Sequence, residues 1–290
     1  MKLCRFEVSK AVHLGLVEGA DFVDLTSLDP KIFADLHSLH THARRRGSTI
    51  TKVVRGVSRD ARRFRFDRSR LRIPVVPAEL WGAGITYLRS RVARETETKT
   101  KGIYDYVYSS VRPELFLKDT GLRCVGPGDE ICVRSDSNWS VPEPELAVVL
   151  DANGKVIGYT IGDDVSARDI EGESPLFLPQ AKIYRGSSSI GPVITTADEI
   201  GDPHALEIEM RIIRSGKTVF SGRVNTSRMK RRVQELVDFL RRDNVMKDFV
   251  VLMTGTAIVP PDDFTLSGGE EVEIEIDKIG LLRNPVKKLR

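Results

Sequence analysis

The sequence predicts an α+β protein in which strands dominate, and three observations carry that reading. Val272, Ile274 and Ile276 alternate with Glu271, Glu273, Glu275 and Asp277, the period of two that marks a half-buried strand. Leu146 to Leu150 is apolar on both parities, as in a strand covered on both faces. Helical periodicity, in contrast, is confined to a few stretches.

Taken in chain order, residues 1–27 read as short strands. Cys4, Phe6 and Val8 alternate with Leu3, Arg5 and Glu7, and Gly19-Ala20-Asp21 forms a turn. Asp29-Pro30 predicts a helix start, with Asp29 as N-cap and Pro30 at the first helical position. Ile32, Leu36, Leu39 and Ala43 supply its buried stripe and Gly47 its end. Pro74 and Pro77 punctuate the chain where the charge balance changes sign. The predicted organisation is a small α+β domain at 1–75 and a larger, strand-rich domain at 76–290. Within the latter, strands are expected at 131–133, 146–150, 156–161, 206–213 and 272–276. A helix is expected at Val233, Leu236, Val237 and Leu240, with a less regular one over 88–111.

The chain has 290 residues, 40% hydrophobic and 30% charged, which excludes a disordered chain and allows a sizeable core. Residues 1–80 hold 16 Lys and Arg against 9 Asp and Glu, and the remainder holds 29 against 32. The arginines from Arg44 to Arg72 are spread along the segment with Phe64 and Phe66 the only aromatics among them, so a solvated basic face is expected rather than a nucleic-acid platform. Cys4, Cys124 and Cys132 have no metal or disulfide spacing. With no apolar run long enough for a membrane helix and no leader-like N-terminus, the expectation is a soluble, cytoplasmic protein.

The chemistry concentrates at Pro142-Glu143-Pro144-Glu145, directly ahead of the apolar run. Two carboxylates two residues apart on a strand point to one face. Asn153-Gly154 is a hairpin signal. With those two residues as a two-residue turn, cross-strand partners sum to 307, which sets Glu143 opposite Asp164 and Glu145 opposite Gly162. Three carboxylates then converge, while a one-residue slip would bring in Asp163 instead. A solvent-facing acidic hairpin is the other reading. Burial on both faces favours a site that requires positive charge, and hard oxygen donors without His or Cys suit Mg²⁺ or Mn²⁺.

Other candidates stand alone. Lys182 lies in an otherwise uncharged stretch, and Thr254-Gly255-Thr256 offers hydroxyl and backbone donors. Glu114, Phe116 and Lys118 would share one strand face. Gly82-Ala83-Gly84 lacks the third glycine of a dinucleotide fingerprint and no phosphate-binding loop occurs, so no nucleotide cofactor is expected. Four of five histidines fall in the small domain, which leaves no Ser–His–Asp or Cys–His set.

These motifs resemble the fumarylacetoacetate hydrolase family. The similarity runs through Pro142–Val149, Gly158–Asp169, the Lys182 segment, Gly191-Pro192-Val193-Ile194, Thr254-Gly255-Thr256 and Ile279–Val286. It implies a mixed β-roll catalytic domain, a homodimer, and a divalent metal on Glu143, Glu145 and Asp164. Three further segments, Arg112–Lys118, Arg134–Trp139 and Leu176–Gln180, resemble a narrower branch, the 2-keto-3-deoxy-D-arabinonate dehydratases. These convert a 2-oxo sugar acid to 2,5-dioxopentanoate and water in pentose oxidation. The family's carbon–carbon hydrolases carry a water-activating His three residues after a turn Tyr. Here Tyr87 is followed by Ser90 at that place, which argues against hydrolysis.

The chemistry of such a dehydration assigns Lys182, near the metal by resemblance, as base and Glu114 as acid for the departing hydroxyl, and the resemblance implies Thr256 and Arg168 as holding the substrate or ordering the metal site. Residues 88–111 could form a mobile lid or an ordinary exposed helix pair. Acylpyruvate hydrolase, oxaloacetate decarboxylase and hydratase activities remain as rivals on the same scaffold. Nucleic-acid binding through the basic segment is the remote one.

Overall fold

The computed structural model describes residues 1–290 and is built on two large sheets, with a two-stranded ribbon of Ser140–Val141 and Ser166–Ala167 beside them. The larger follows the order Arg62–Arg65, Asp21–Asp24, Ala11–Glu18, Lys2–Val8, Ser188–Thr196, Val156–Asp164, Pro144–Leu150, Val250–Met253, Leu80–Gly84 and Glu114–Asp119. The smaller runs Lys217–Asn225, Glu207–Arg214, Glu270–Ile276, Gly280–Lys288 and Ile131–Val133. Both contain parallel and antiparallel pairs, and the expected strand-dominated α+β class is observed.

The strand Pro144–Leu150 is buried at every position, and its two parities enter two different cores. Leu146, Val148 and Leu150 pack with Ile208, Ile274 and helix Val233–Arg241, on the side of the smaller sheet. Ala147 and Val149 pack with Leu36, Leu39 and Val54, on the side of helices Leu36–Arg45 and Ile50–Arg55. Each of these Leu, Ile and Val side chains contributes about 1.5–3 kcal/mol by leaving water. That two-sided cover is why the run reads as continuously apolar.

The expected strands and the 233–240 helix are present, and 88–111 is two helices, Leu88–Glu97 and Ile103–Ser109. The first helix departs from expectation at its start. Asp29 caps the amides of Lys31 (2.8 Å) and Ile32 (3.1 Å), but that turn does not propagate. The helix starts at Leu36, where Asp35 accepts from Ser38 N at 2.7 Å, and Gly47 closes it at φ +58°. Two aspartates each cap a turn, and only the second turn continues into a helix, Leu36–Arg45.

The sheet continues across residue 75: Lys2 and Leu3 pair with Thr195 and Ile194. Several N-terminal arginines are met within the chain, Arg63 by Glu18 (2.9 Å), Arg55 by Asp198 (3.3 Å) and Arg44 by Asp248 (3.4 Å). The three cysteines are free and buried, and no helix is long and apolar enough to cross a membrane.

Candidate active site

The site is built on the hairpin of Pro144–Leu150 and Val156–Asp164. Its turn differs from the expected two-residue loop. Asp151 N donates to Lys155 O and Gly154 N to Asp151 O, both at 2.9 Å, so three residues, Ala152 to Gly154, form the loop. Gly154 takes the left-handed position at φ +75°, and Asp151 Oδ1 accepts from the amides of Asn153 and Lys155. Leu150 therefore pairs with Val156, a sum of 306. A bulge follows immediately, Val149 pairs with Gly158, and the sum returns to 307. The extra loop residue and the extra bulge residue cancel.

Glu145 consequently faces Gly162, and Asp164 N donates to Glu143 O at 3.0 Å. One carboxylate oxygen from each of Glu143, Glu145 and Asp164 lies within 4.8 Å of the others, and all three residues are buried. Asp163 turns elsewhere, accepting from Glu143 N at 3.0 Å. Burial, together with the charges of Asp164 and Glu143, pushes the Glu145 carboxyl well above the usual carboxylate range. Three converging hard oxygen donors with one of them so disfavoured as an anion are a donor set that fits a divalent cation.

Cations crowd this cluster. Lys182, at the end of helix Leu178–Lys182, sets Nζ 2.8 Å from Glu143 Oε2, 2.9 Å from Asp164 Oδ2 and 2.5 Å from Ser166 Oγ. Burial opposes its charge, but Asp164 and Glu143 outweigh it and hold the ammonium well above its ordinary pKa. Lys118 Nζ is 2.7 Å from Asp164 Oδ1 and donates to Val165 O (2.9 Å) and Lys182 O (2.6 Å). Burial lowers its pKa while Asp164 resists. Glu143 Oε1 accepts from Arg168 Nη2 at 2.7 Å and also from Arg94.

Glu114, Phe116 and Lys118 do share one face of the strand Glu114–Asp119. Glu114 and Lys118 do not pair with each other. Glu114 lines a cavity of about 30 Å³ together with Glu143, Glu145, Asp164, Lys182 and Thr256. Burial and the nearby Glu171 charge push its carboxyl up to about 7. Gly84 stands opposite Glu114, and a Cβ there would sit 2.1 Å from Glu114 Oε2. A Cβ on Gly82 would likewise meet Phe116 at 2.4 Å. The Gly82-Ala83-Gly84 run thus clears space for the cavity wall. Gly255 (φ +92°) donates its amide to Glu145 Oε2, and a Cβ there would strike Thr86 Oγ1 at 2.1 Å.

Arg168 is not in the cavity wall. Its guanidinium is spent on Glu143 and on Glu97, at 2.7 and 2.8 Å from the two Glu97 oxygens. The guanidinium that does reach the cavity is Arg94, which joins Glu143, Glu97 (3.0 Å) and Glu171 (3.2 Å). Ser90 also lines the cavity, its hydroxyl donating to Tyr87 O at 2.8 Å. Neither Arg94 nor Glu171 was legible beforehand. Arg94 is one of several basic residues in 88–111. Glu171 follows Arg168 by three residues, an i,i+3 spacing that was the one available signal.

Residues 93–287 match the family model described as fumarylacetoacetate (FAA) hydrolase C-terminal. The chain is 53% identical over 231 residues to 2-dehydro-3-deoxy-D-arabinonate dehydratase of Saccharolobus solfataricus, covering 78% of each. It is 43% identical over 267 residues, 91% of each chain, to a probable 2-keto-3-deoxyxylonate dehydratase of Haloferax volcanii. Among solved structures it is similar to 2-keto-3-deoxy-D-arabinonate dehydratase complexed with magnesium and 2,5-dioxopentanoate, with TM-score 0.81, 41% identity and full coverage of both chains.

Proposed function

Since this chain belongs to the fumarylacetoacetate hydrolase family, we propose that it dehydrates 2-keto-3-deoxy-D-arabinonate to 2,5-dioxopentanoate and water. The observation that carries this reading is the 53% identity to an arabinonate dehydratase. It is joined by a site in which Ser90, not a histidine, occupies the position of the hydrolases' water-activating base.

Glu143, Glu145 and Asp164 would hold the cation, Mg²⁺ by preference and Mn²⁺ as a substitute. When bound, it supplies a Lewis acid to the 2-oxo and carboxylate oxygens of the substrate, which acidifies C3–H. The chain's own residues do the rest. We assign Lys182 to the C3 proton, a role open to it once a cation on Glu143 and Asp164 offsets the two carboxylates that otherwise keep its ammonium protonated. Glu114, neutral up to about pH 7, protonates the C4 hydroxyl as it departs as water. Tautomerisation then gives the aldehyde at C5. Thr256 lies in the cavity wall and bears on the substrate, whereas Arg168 acts on Glu143 and so orders the metal site.

A cavity of about 30 Å³ has room for roughly one water molecule, not for a five-carbon acid. Substrate entry therefore calls for movement, and we assign it to 88–111, whose Arg94 and Glu97 lie over the carboxylates, as a lid. Residues 1–75 extend the larger sheet and cover one face of it with helices Leu36–Arg45 and Ile50–Arg55, and 76–290 carry the chemistry. The reading further comprises a cytoplasmic homodimer serving pentose catabolism, which light scattering on the purified protein checks for subunit number.

The test of the function is turnover by metal-stripped protein, with and without restored Mg²⁺, read as aldehyde formed. Aldehyde that requires Mg²⁺ supports the proposal. No aldehyde from folded, Mg²⁺-loaded protein overturns it, and acylpyruvates and oxaloacetate become the next substrates to try.

A further inference from the structure

One buried acceptor in the cavity has no partner. Glu171 Oε1 is 3.2 Å from Arg94 Nε, but Oε2 accepts no hydrogen bond, and Arg168 Nε stands 4.0 Å away. The side chain is 7% exposed and lines the cavity beside Glu114. A charged acceptor buried and left bare is costly, so this oxygen calls for a donor from the ligand.

The cationic donors near it are already committed. The three nitrogens of Arg94 are spent on Glu171, Glu97 and Glu143. Lys182 Nζ has three oxygen partners, and the Ser90 hydroxyl donates to a backbone carbonyl. This part of the cavity therefore offers acceptors and no free cation. Resting on the dehydratase reading, we propose that Glu171 is a specificity-determining residue that selects 2-oxo acids ending in a hydroxyl and rejects those ending in a carboxylate. A terminal hydroxyl gives Oε2 its missing donor. A terminal carboxylate would add a like charge beside Glu171 with no free cation to pair it.

The test is a pair of ligands of equal length that cannot be dehydrated, 5-hydroxy-2-oxopentanoate and 2-oxoglutarate. Their binding to the Mg²⁺-loaded protein is measured by calorimetry. The expected preference for the hydroxy acid is about tenfold or more, the worth of one hydrogen bond to a charged acceptor. In Glu171→Gln, whose amide can donate to a carboxylate, the preference should fall to about threefold or less. A wild-type ratio near unity overturns the assignment, as does a ratio unchanged in the variant. The wild-type ratio decides even where the variant fails to fold. Neither ligand has a C4 hydroxyl to lose. Loss of turnover with the preference kept therefore counts against the dehydratase reading alone, and the reverse counts against Glu171 alone.

Discussion

The amide of Asp164 donates to the carbonyl of Glu143 across 3.0 Å, and this bond sets two of the three clustered carboxylates side by side. The third, Glu145, is held by the Gly255 amide from a neighbouring segment. Glu145→Gln keeps that acceptor and removes the charge. Mg²⁺ affinity measured by calorimetry should fall about 100-fold or more, with turnover lost. In metal-free protein the thermal midpoint should rise, because a carboxylate crowded by burial, Asp164 and Glu143 is relieved. Unchanged Mg²⁺ affinity would remove Glu145 from the ligand set.

Glu114 titrates near 7, well above an exposed glutamate. Acting as an acid it must be protonated, so kcat/KM should decline as pH rises through about 7. Glu114→Gln should lose that limb and drop kcat by roughly 10²–10⁴-fold. Stability moves in the same direction as catalysis. The folded state binds this proton more tightly than the unfolded chain, so stability falls as pH climbs from the ordinary glutamate range through about 7. At pH 8 the Gln variant should melt at or above the wild-type temperature. A pH profile that is the same in both proteins would exclude Glu114 as the acid.

Gly84→Ala places a methyl where the Glu114 carboxylate lies, 2.1 Å from Oε2. The side chain must swing away. We expect kcat to fall about tenfold or more, following the sensitivity of proton transfer to geometry, while Mg²⁺ affinity holds. Wild-type kcat in this variant would show that the position of Glu114 is immaterial.

The lid assignment is checked by amide hydrogen exchange over 88–111. Arg94 and Glu97 tie this segment to Glu143, Glu171 and Arg168 through buried ion pairs. Exchange there should slow when Mg²⁺ and 2,5-dioxopentanoate are added, and should speed up in Arg94→Ala. Exchange insensitive to both would mean an ordinary surface helix pair.

The acidic triple was legible because strand parity and hairpin pairing are short-range rules, needing little more than a turn and an apolar run. Yet the arithmetic reached Asp164 through two offsetting differences, the third loop residue and the bulge after Val156. Nothing in the sequence of Val156-Ile157-Gly158 announces that bulge. Bulges answer to packing against other strands, which here arrive from residues 188–196 and 250–253. Arg94 and Glu171 were hidden for a related reason. A buried ion pair is defined by its partners, and those partners lie 49 residues apart for Arg94 and Glu143. The first helix shows the local limit, since two consecutive aspartate caps read alike until the turn between them is seen to fail.

The order in which the chain is made gives the central hairpin a particular history. Residues 143–164 leave the ribosome with all three carboxylates, but the strand that flanks them on one side begins at Ser188 and the other at Val250. The amide that secures Glu145 comes later still, at Gly255. A nascent or truncated chain ending before that point would display the acidic hairpin with a bare edge and a loose third ligand. Synthesis proceeds at about 5–20 residues per second, so this interval lasts seconds. The complete cluster thus forms only once Gly255 has been made, and a product terminated before it never owns it.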